Sequence, residues 1–201
     1  MGREPTTERG RRSRKKIVEA ASALIDDCGV TGAGIDRILA AAGASKSQLY
    51  HFFGDKSELV RAVIADRMEC LVEANLPRLT RLDSWSGIRA WLDEHVELTE
   101  AADFPGCPIG NLAAQITAHD EAARADLAEC FIGMQSYLTR GLETMRDRGE
   151  IVADADPEQL ALAVQAGIQG GTLLARTHRD VRPLRAAVDG AYTYLRTFAT
   201  S

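Results

Sequence analysis

Residues 28–59 read CGVTGAGIDRILAAAGASKSQLYHFFGDKSEL, and the rest of the chain takes its meaning from this stretch. Ile35 to Ala42 is a short segment of helical period closed by Gly43, a residue that turns left-handed at low cost where a helix stops. Ser45-Lys46-Ser47-Gln48 has the form of a capping box. The Ser45 hydroxyl can accept from the Gln48 backbone N–H, and the Gln48 side chain can reach back to Ser45. Asp55-Lys56-Ser57-Glu58 repeats the pattern just after Gly54. Two closely spaced caps predict a very short helix from Ser45 to Phe53, with another short helix before it. That is the helix-turn-helix arrangement, in which the second helix enters the major groove of DNA.

Upstream, Ile17, Ala20, Ala21, Leu24 and Cys28 form a helical stripe from Arg11 to Cys28, and Gly29 is placed as its stop. Seven cationic residues lie between Arg3 and Lys16. This basic arm reads either as a minor-groove contact or as a solvated tail. The formal net charge is −5, yet residues 1–60 hold ten Lys/Arg against eight Asp/Glu, and the remainder fourteen against twenty-one. All four lysines lie in the first 60 residues. One end suits a polyanion and the other repels it.

Downstream the pattern stays helical, with no strand period. A helix is expected from Asp55 to about Leu76, stopped by Pro77. Another runs from Ser84 to Ala102, and one from Pro108 to about Thr117. A long helix follows from about Asp120 to Asp147, then one from Asp156-Pro157 to His178, and a last one from Pro183. The expected fold is all-α with about nine helices. A three-helix helix-turn-helix domain with its basic arm occupies residues 1–54, and a larger helical domain residues 55–201. No signal peptide is expected, because no apolar run follows the basic N-terminus. A membrane span is not expected either, so the protein should be cytoplasmic. Cys28, Cys70, Cys107 and Cys130 form no CxxC pair, so neither a disulfide framework nor a zinc module is expected. No metal or cofactor is expected, since the histidines do not cluster with carboxylates at ligand spacing. No nucleophile–base pair or phosphate loop points to an enzyme.

The short second helix would expose Lys46, Ser47, Gln48 and His51 and turn Leu49 and Phe52 inward. Gln pairs with adenine in the major groove, and Ser and Lys reach bases or phosphates. Tyr50 is a phosphate contact or a packing ring. Lys56, in the first turn of the next helix, joins that helix's N–H groups at a phosphate.

Residues 11–59 resemble the N-terminal DNA-binding domain of the TetR family of transcriptional regulators. The resemblance rests on Gly29, Ile35, Ile38, Ala42-Gly43, Ser45-Lys46, Leu49-Tyr50-His51-Phe52-Phe53 and Asp55-Lys56-Ser57-Glu58-Leu59. It implies a homodimeric repressor that binds a near-palindromic double-stranded operator and is released by a small-molecule effector. It departs at Ala33-Gly34, where relatives place hydroxyls that cap the helix, so that Thr31, two residues earlier, is the remaining hydroxyl. The DNA-contacting set is then Arg12, Arg14, Lys15, Thr31, Lys46, Ser47, Gln48, Tyr50, His51 and Lys56.

The resemblance also implies an effector cavity and a dimer interface in the C-terminal domain. Cavity candidates are Trp91, His95, Phe104, Asn111 and Gln115, with Phe131, Met134, Tyr137 and Gln165; plain core is the alternative for each. Interface candidates are Gly167, Gly170 and Leu174 with Ala187, Ala191 and Leu195; intramolecular core is again the alternative. The connector Phe104-Pro-Gly-Cys-Pro-Ile-Gly-Asn111 is similar to a stretch in one subgroup of the family. A redox sensor through Cys107 is therefore an alternative function, as is an effector-free DNA binder.

Overall fold

The computed structural model describes residues 5–116 and 120–200. Among them are nine helices and no strand beyond one isolated antiparallel bridge, Ile151 to Ala199. The helices are α1 (Glu8–Gly32), α2 (Ile35–Ala42), α3 (Lys46–Phe53), α4 (Lys56–Leu79), α5 (Trp85–Ala101), α6 (Pro108–Ala113), α7 (Glu121–Asp147), α8 (Pro157–His178) and α9 (Arg182–Arg196). No described helix is long and apolar enough to cross a membrane.

The chain divides into two compact units. One runs through Cys70 and includes Leu112–Ala128; the other comprises Leu71–Asn111 and Glu129–Ser201. The expected boundary at 54/55 differs from this division, which falls inside α4. The reason is packing: Leu59, Val60, Val63 and Ile64 of α4 are buried. Arg67 donates to Asp26 at 2.7 Å and to the Ser22 hydroxyl at 3.1 Å.

In the first unit, α1 starts earlier than Arg11. Thr7 caps it by accepting from the Gly10 N–H at 3.1 Å, and Glu8 pairs with Arg11 and Arg12. From Glu8 to Lys16 the basic run is therefore helix and not an extended arm; Arg3 lies outside the described residues. Gly29, with φ 75° and ψ 168°, breaks the helical path. That step withdraws Val30 from the helical ladder. Its N–H donates to Gln115 Oε1 at 2.8 Å, and its carbonyl accepts from Lys56 Nζ at 2.7 Å. Backbone groups leaving a helix are commonly taken up by such side chains.

In the second unit, Ser84 caps α5 by accepting from the Gly87 N–H at 3.2 Å. Asp156 caps α8 by accepting from the N–H groups of Glu158 and Gln159, with Pro157 in the first turn. Pro77 does not stop α4, which continues to Leu79. Proline costs a helix one N–H. The N–H it lacks is the one that would reach the Glu73 carbonyl, and the burial of Leu79 in the core holds the turn beyond it. Helix α6 ends at Ala113, short of the expected Thr117, which lies outside the described residues.

Helices α8 and α9 pack along each other within this unit. A Cβ on Gly171 would lie 2.7 Å from Ala187 Cβ and 3.0 Å from Leu184 Cα. Part of the expected interface set is engaged in this contact within the chain. Leu195 is 0% exposed, Ala191 packs on the core, and Ala187 and Gly167 face each other across the α8–α9 contact. The apolar stripe of α9 is used by α8 of the same chain. Gly170 and Leu174 remain exposed.

A Cβ on Gly141 would meet Leu82 O at 2.2 Å. Gly141→Ala is therefore expected to destabilise the fold by about 2–3 kcal/mol through overpacking. Denaturant unfolding checks this, and an unchanged midpoint would contradict the contact.

Candidate DNA-binding face and cavity

Helix α3 is built by its ends and its inner side. The capping box is complete: the Gln48 N–H donates to Ser45 Oγ at 3.2 Å, and the Ser45 N–H donates to Gln48 Oε1 at 2.9 Å. Gly43 precedes it in the left-handed region (φ 61°) and Gly54 follows it at φ 68°. Leu49 is 0% exposed, and Phe52 and Phe53 are buried with it. Lys46, Ser47, Gln48, Tyr50 and His51 are all exposed on the other side. Tyr50, at 49% exposure, is not a core ring.

Several expected DNA contacts have protein partners here. Gln48 spends its carbonyl on the cap, and its Nε2 donates to Ser13 Oγ at 3.3 Å. A bidentate grip on adenine needs both atoms, so in this conformation one amide hydrogen is left for a base. Lys46 pairs with Asp36 at 3.0 Å. Its hydrogen bond to that carboxylate, followed by the charge attraction, holds the ammonium pKa above its ordinary value. Lys56, expected at a phosphate, points its ammonium at the Val30 carbonyl. Arg14 lies over the Phe53 ring at 5.1 Å from its centroid. Arg12 and Lys15 are exposed and pair with Glu8 and Glu19. Thr31 is exposed; the N-cap of α2 is Gly34, which has no side chain to supply a cap.

The second unit holds a cavity of about 350 Å³ between α5, α7 and α8. Of the expected residues, Trp91, His95, Phe131, Met134 and Gln165 line it. Four others are placed elsewhere. Gln115 accepts from Val30 in the first unit. Asn111 bonds Pro105 O at 3.1 Å and accepts from Arg176. Phe104 sits under Arg179, and Tyr137 under Arg140, each packed against the core. Composition could not separate these from lining residues, since all were apolar or amide side chains in the right region.

The lining also includes Asn75, Cys107, Gln169 and Thr172, which were not expected there. Gln169 and Thr172 follow Gln165 at helical spacing on α8, so periodicity alone could have found them. Cys107 Sγ accepts from the Gly110 N–H at 3.3 Å. His95 is half-buried, with Nδ1 2.8 Å from Trp91 O and its ring edge-on to Trp91 at 4.8 Å. Loss of water around the ring pushes its pKa below the ordinary value, which favours the neutral form. Among the described residues, no cluster of His, Cys, Asp or Glu could hold a metal ion.

Comparison with known proteins agrees with this architecture. Residues 17–63 match the family described as bacterial regulatory proteins, tetR family, and residues 85–191 match the tetracyclin repressor-like C-terminal domain. The HTH-type transcriptional regulator LmrA of Bacillus subtilis is 31% identical over 185 residues, covering 86% of this chain and 90% of LmrA. A TetR transcriptional regulator from Chloroflexus aurantiacus superposes with a TM-score of 0.78 at 26% identity, covering 96% of this chain and 98% of its own. The regulator CifR, solved as a cysteine mutant complexed with 26-bp double-strand operator DNA, superposes with a TM-score of 0.71 at 24% identity, covering 95% and 98%. With a helix-turn-helix unit and a C-terminal unit that each match, the chain belongs to the TetR family of transcriptional regulators.

Proposed function

We propose that the protein is a homodimeric repressor that occupies a near-palindromic operator and is released from it by a small-molecule effector. The observation that carries this is the two-sided character of α3. Its inner side chains are buried while Lys46, Ser47, Gln48, Tyr50 and His51 face solvent together. Ser47 and His51, the latter meeting the Phe52 ring edge-on at 5.3 Å, take the base edges; Gln48 adds one donor. Lys46, Tyr50, Arg12 and Lys15 serve phosphates. The CifR complex with operator DNA supports docking of this fold on a duplex.

Two subunits must place two such helices in successive major grooves, about one helical turn apart. The apolar surface that remains exposed on α8 and α9 supports the pairing. Leu162, Ala166, Gly170 and Leu173 follow one another along α8, and Tyr194 adds an exposed ring on α9. Leu173 is 64% exposed, the most among the large apolar residues. Burying that row against its copy would satisfy it.

The cavity supplies the switch. The chain runs from cavity-lining Cys107, Pro108 and Ile109 through α6 to Gln115, the partner of Val30. An occupant that favours a displaced α6 therefore draws on the hydrogen bond beside the α1 break. Such coupling is typically worth about 1–3 kcal/mol. Selection of bound duplexes from a random pool, followed by a screen for compounds that release them, tests the whole proposal. Recovery of a single half-site, or of no preferred sequence, would refute it.

Lys46→Ala is expected to weaken binding on every sequence and to reduce the slope of log affinity against log salt by about one. An unchanged slope would leave Lys46 as the partner of Asp36 alone. Leu173→Glu is expected to convert the dimer to monomers in sedimentation while the far-ultraviolet helical signal stays. A variant that remains dimeric would place the interface elsewhere.

A further inference from the structure

Each of four side-chain amides at the cavity turns its nitrogen to the protein and spends one of its two N–H groups there. Gln165 Nε2 donates to Phe131 O at 3.0 Å, and Asn75 Nδ2 donates to Leu71 O at 2.7 Å. Gln135 Nε2 donates to Glu158 O at 3.3 Å, and Gln169 Nε2 lies 3.6 Å from Cys107 Sγ. Each amide is thus turned with its nitrogen toward protein. His95 shows the same bias. Its Nδ1 lies 2.8 Å from the Trp91 carbonyl, which can only accept, so Nδ1 carries the proton and Nε2 keeps a lone pair.

Charge is equally one-sided. No lysine or arginine is among the lining residues. Glu94 is the single acidic one, and it pairs with Arg78. A carboxylate or phosphate entering this space would lose water and find no counter-charge. A molecule with hydroxyl or N–H donors would find Gln165 Oε1, Asn75 Oδ1 and His95 Nε2 as acceptors. Its apolar body would meet Trp91, Phe131, Met134, Leu138 and Ile168. The volume of about 350 Å³ is at the small end for ligand sites.

We propose that the effector is an uncharged, mainly apolar molecule bearing hydroxyl or N–H donors, of the phenol type, and that Gln165, Asn75 and His95 select it by accepting from those donors. The inference rests on the cavity being the effector site. Selectivity follows because a donor group satisfies acceptors that an ether or an anion of the same skeleton would leave unpaired.

Calorimetric titration of the full-length protein with β-naphthol, its methyl ether and β-naphthoate tests this. The expected result is β-naphthol binding about tenfold or more tightly than either of the others. Gln165→Leu should remove most of that preference, read as the ratio of the naphthol and methyl ether affinities, and His95→Phe provides a second reading should Gln165→Leu not fold. Equal binding of naphthol and its ether, or a preference for naphthoate, would overturn the donor selection and leave the cavity as a ligand site. Failure of all three to bind at millimolar concentration would overturn both the selection and the effector site.

Discussion

An isolated helix of eight residues does not hold itself in water, and α3 has no more than that. Its existence depends on both ends and one side being fixed at once. The Ser45–Gln48 box ties the first turn, glycines in left-handed backbone close the turns before and after it, and Leu49, Phe52 and Phe53 anchor the inner side. The box is worth about 1 kcal/mol. The three buried side chains contribute about 1.5–3 kcal/mol each before entropy is counted. Packing therefore dominates, and the cap sets where the helix begins and which residues face outward. The same economy explains why Gln48 is less free to read a base than its exposure suggests.

A second dependence is the break at Gly29. Leaving the helix there frees both backbone groups of Val30, and two side chains distant in sequence, Lys56 and Gln115, take them up. A local conformational step thereby becomes a junction of three segments of the first unit. Lys56 in this position organises the protein and does not stand free toward solvent. Gln115 follows directly on a short helix whose start lines the cavity of the other unit, and for that reason the proposed switch is assigned to this stretch.

Helix starts were legible in the sequence at three side-chain caps: Ser45, Ser84 and Asp156 all occupy the positions that their hydroxyl or carboxylate chemistry indicates. Helix ends were less so. Pro77 was expected to terminate α4, yet the burial of Leu79 carries the helix past it. The basic run before Lys16 concealed its own cap at Thr7, because charge density and helix signals coincide there. The stripe on α9 was legible as apolar but not as to its partner, since an apolar row fits a neighbouring helix of its own chain as well as a second subunit. In the cavity, residue type singled out Trp91, His95 and Gln165, which line it. It could not show that Gln115 and Asn111, equally polar and nearby in sequence, are committed to backbone and arginine partners.

The central claim is that the outer side of α3 meets base edges in the major groove, once from each of two subunits. Interference by methylation of guanine N7, which lies in the major groove, reports this directly on a selected operator. The account predicts two symmetric clusters of interference, about one helical turn apart, lying over the two half-sites. A single cluster, or binding that methylation of guanine N7 leaves unaffected while minor-groove modification abolishes it, would contradict the account.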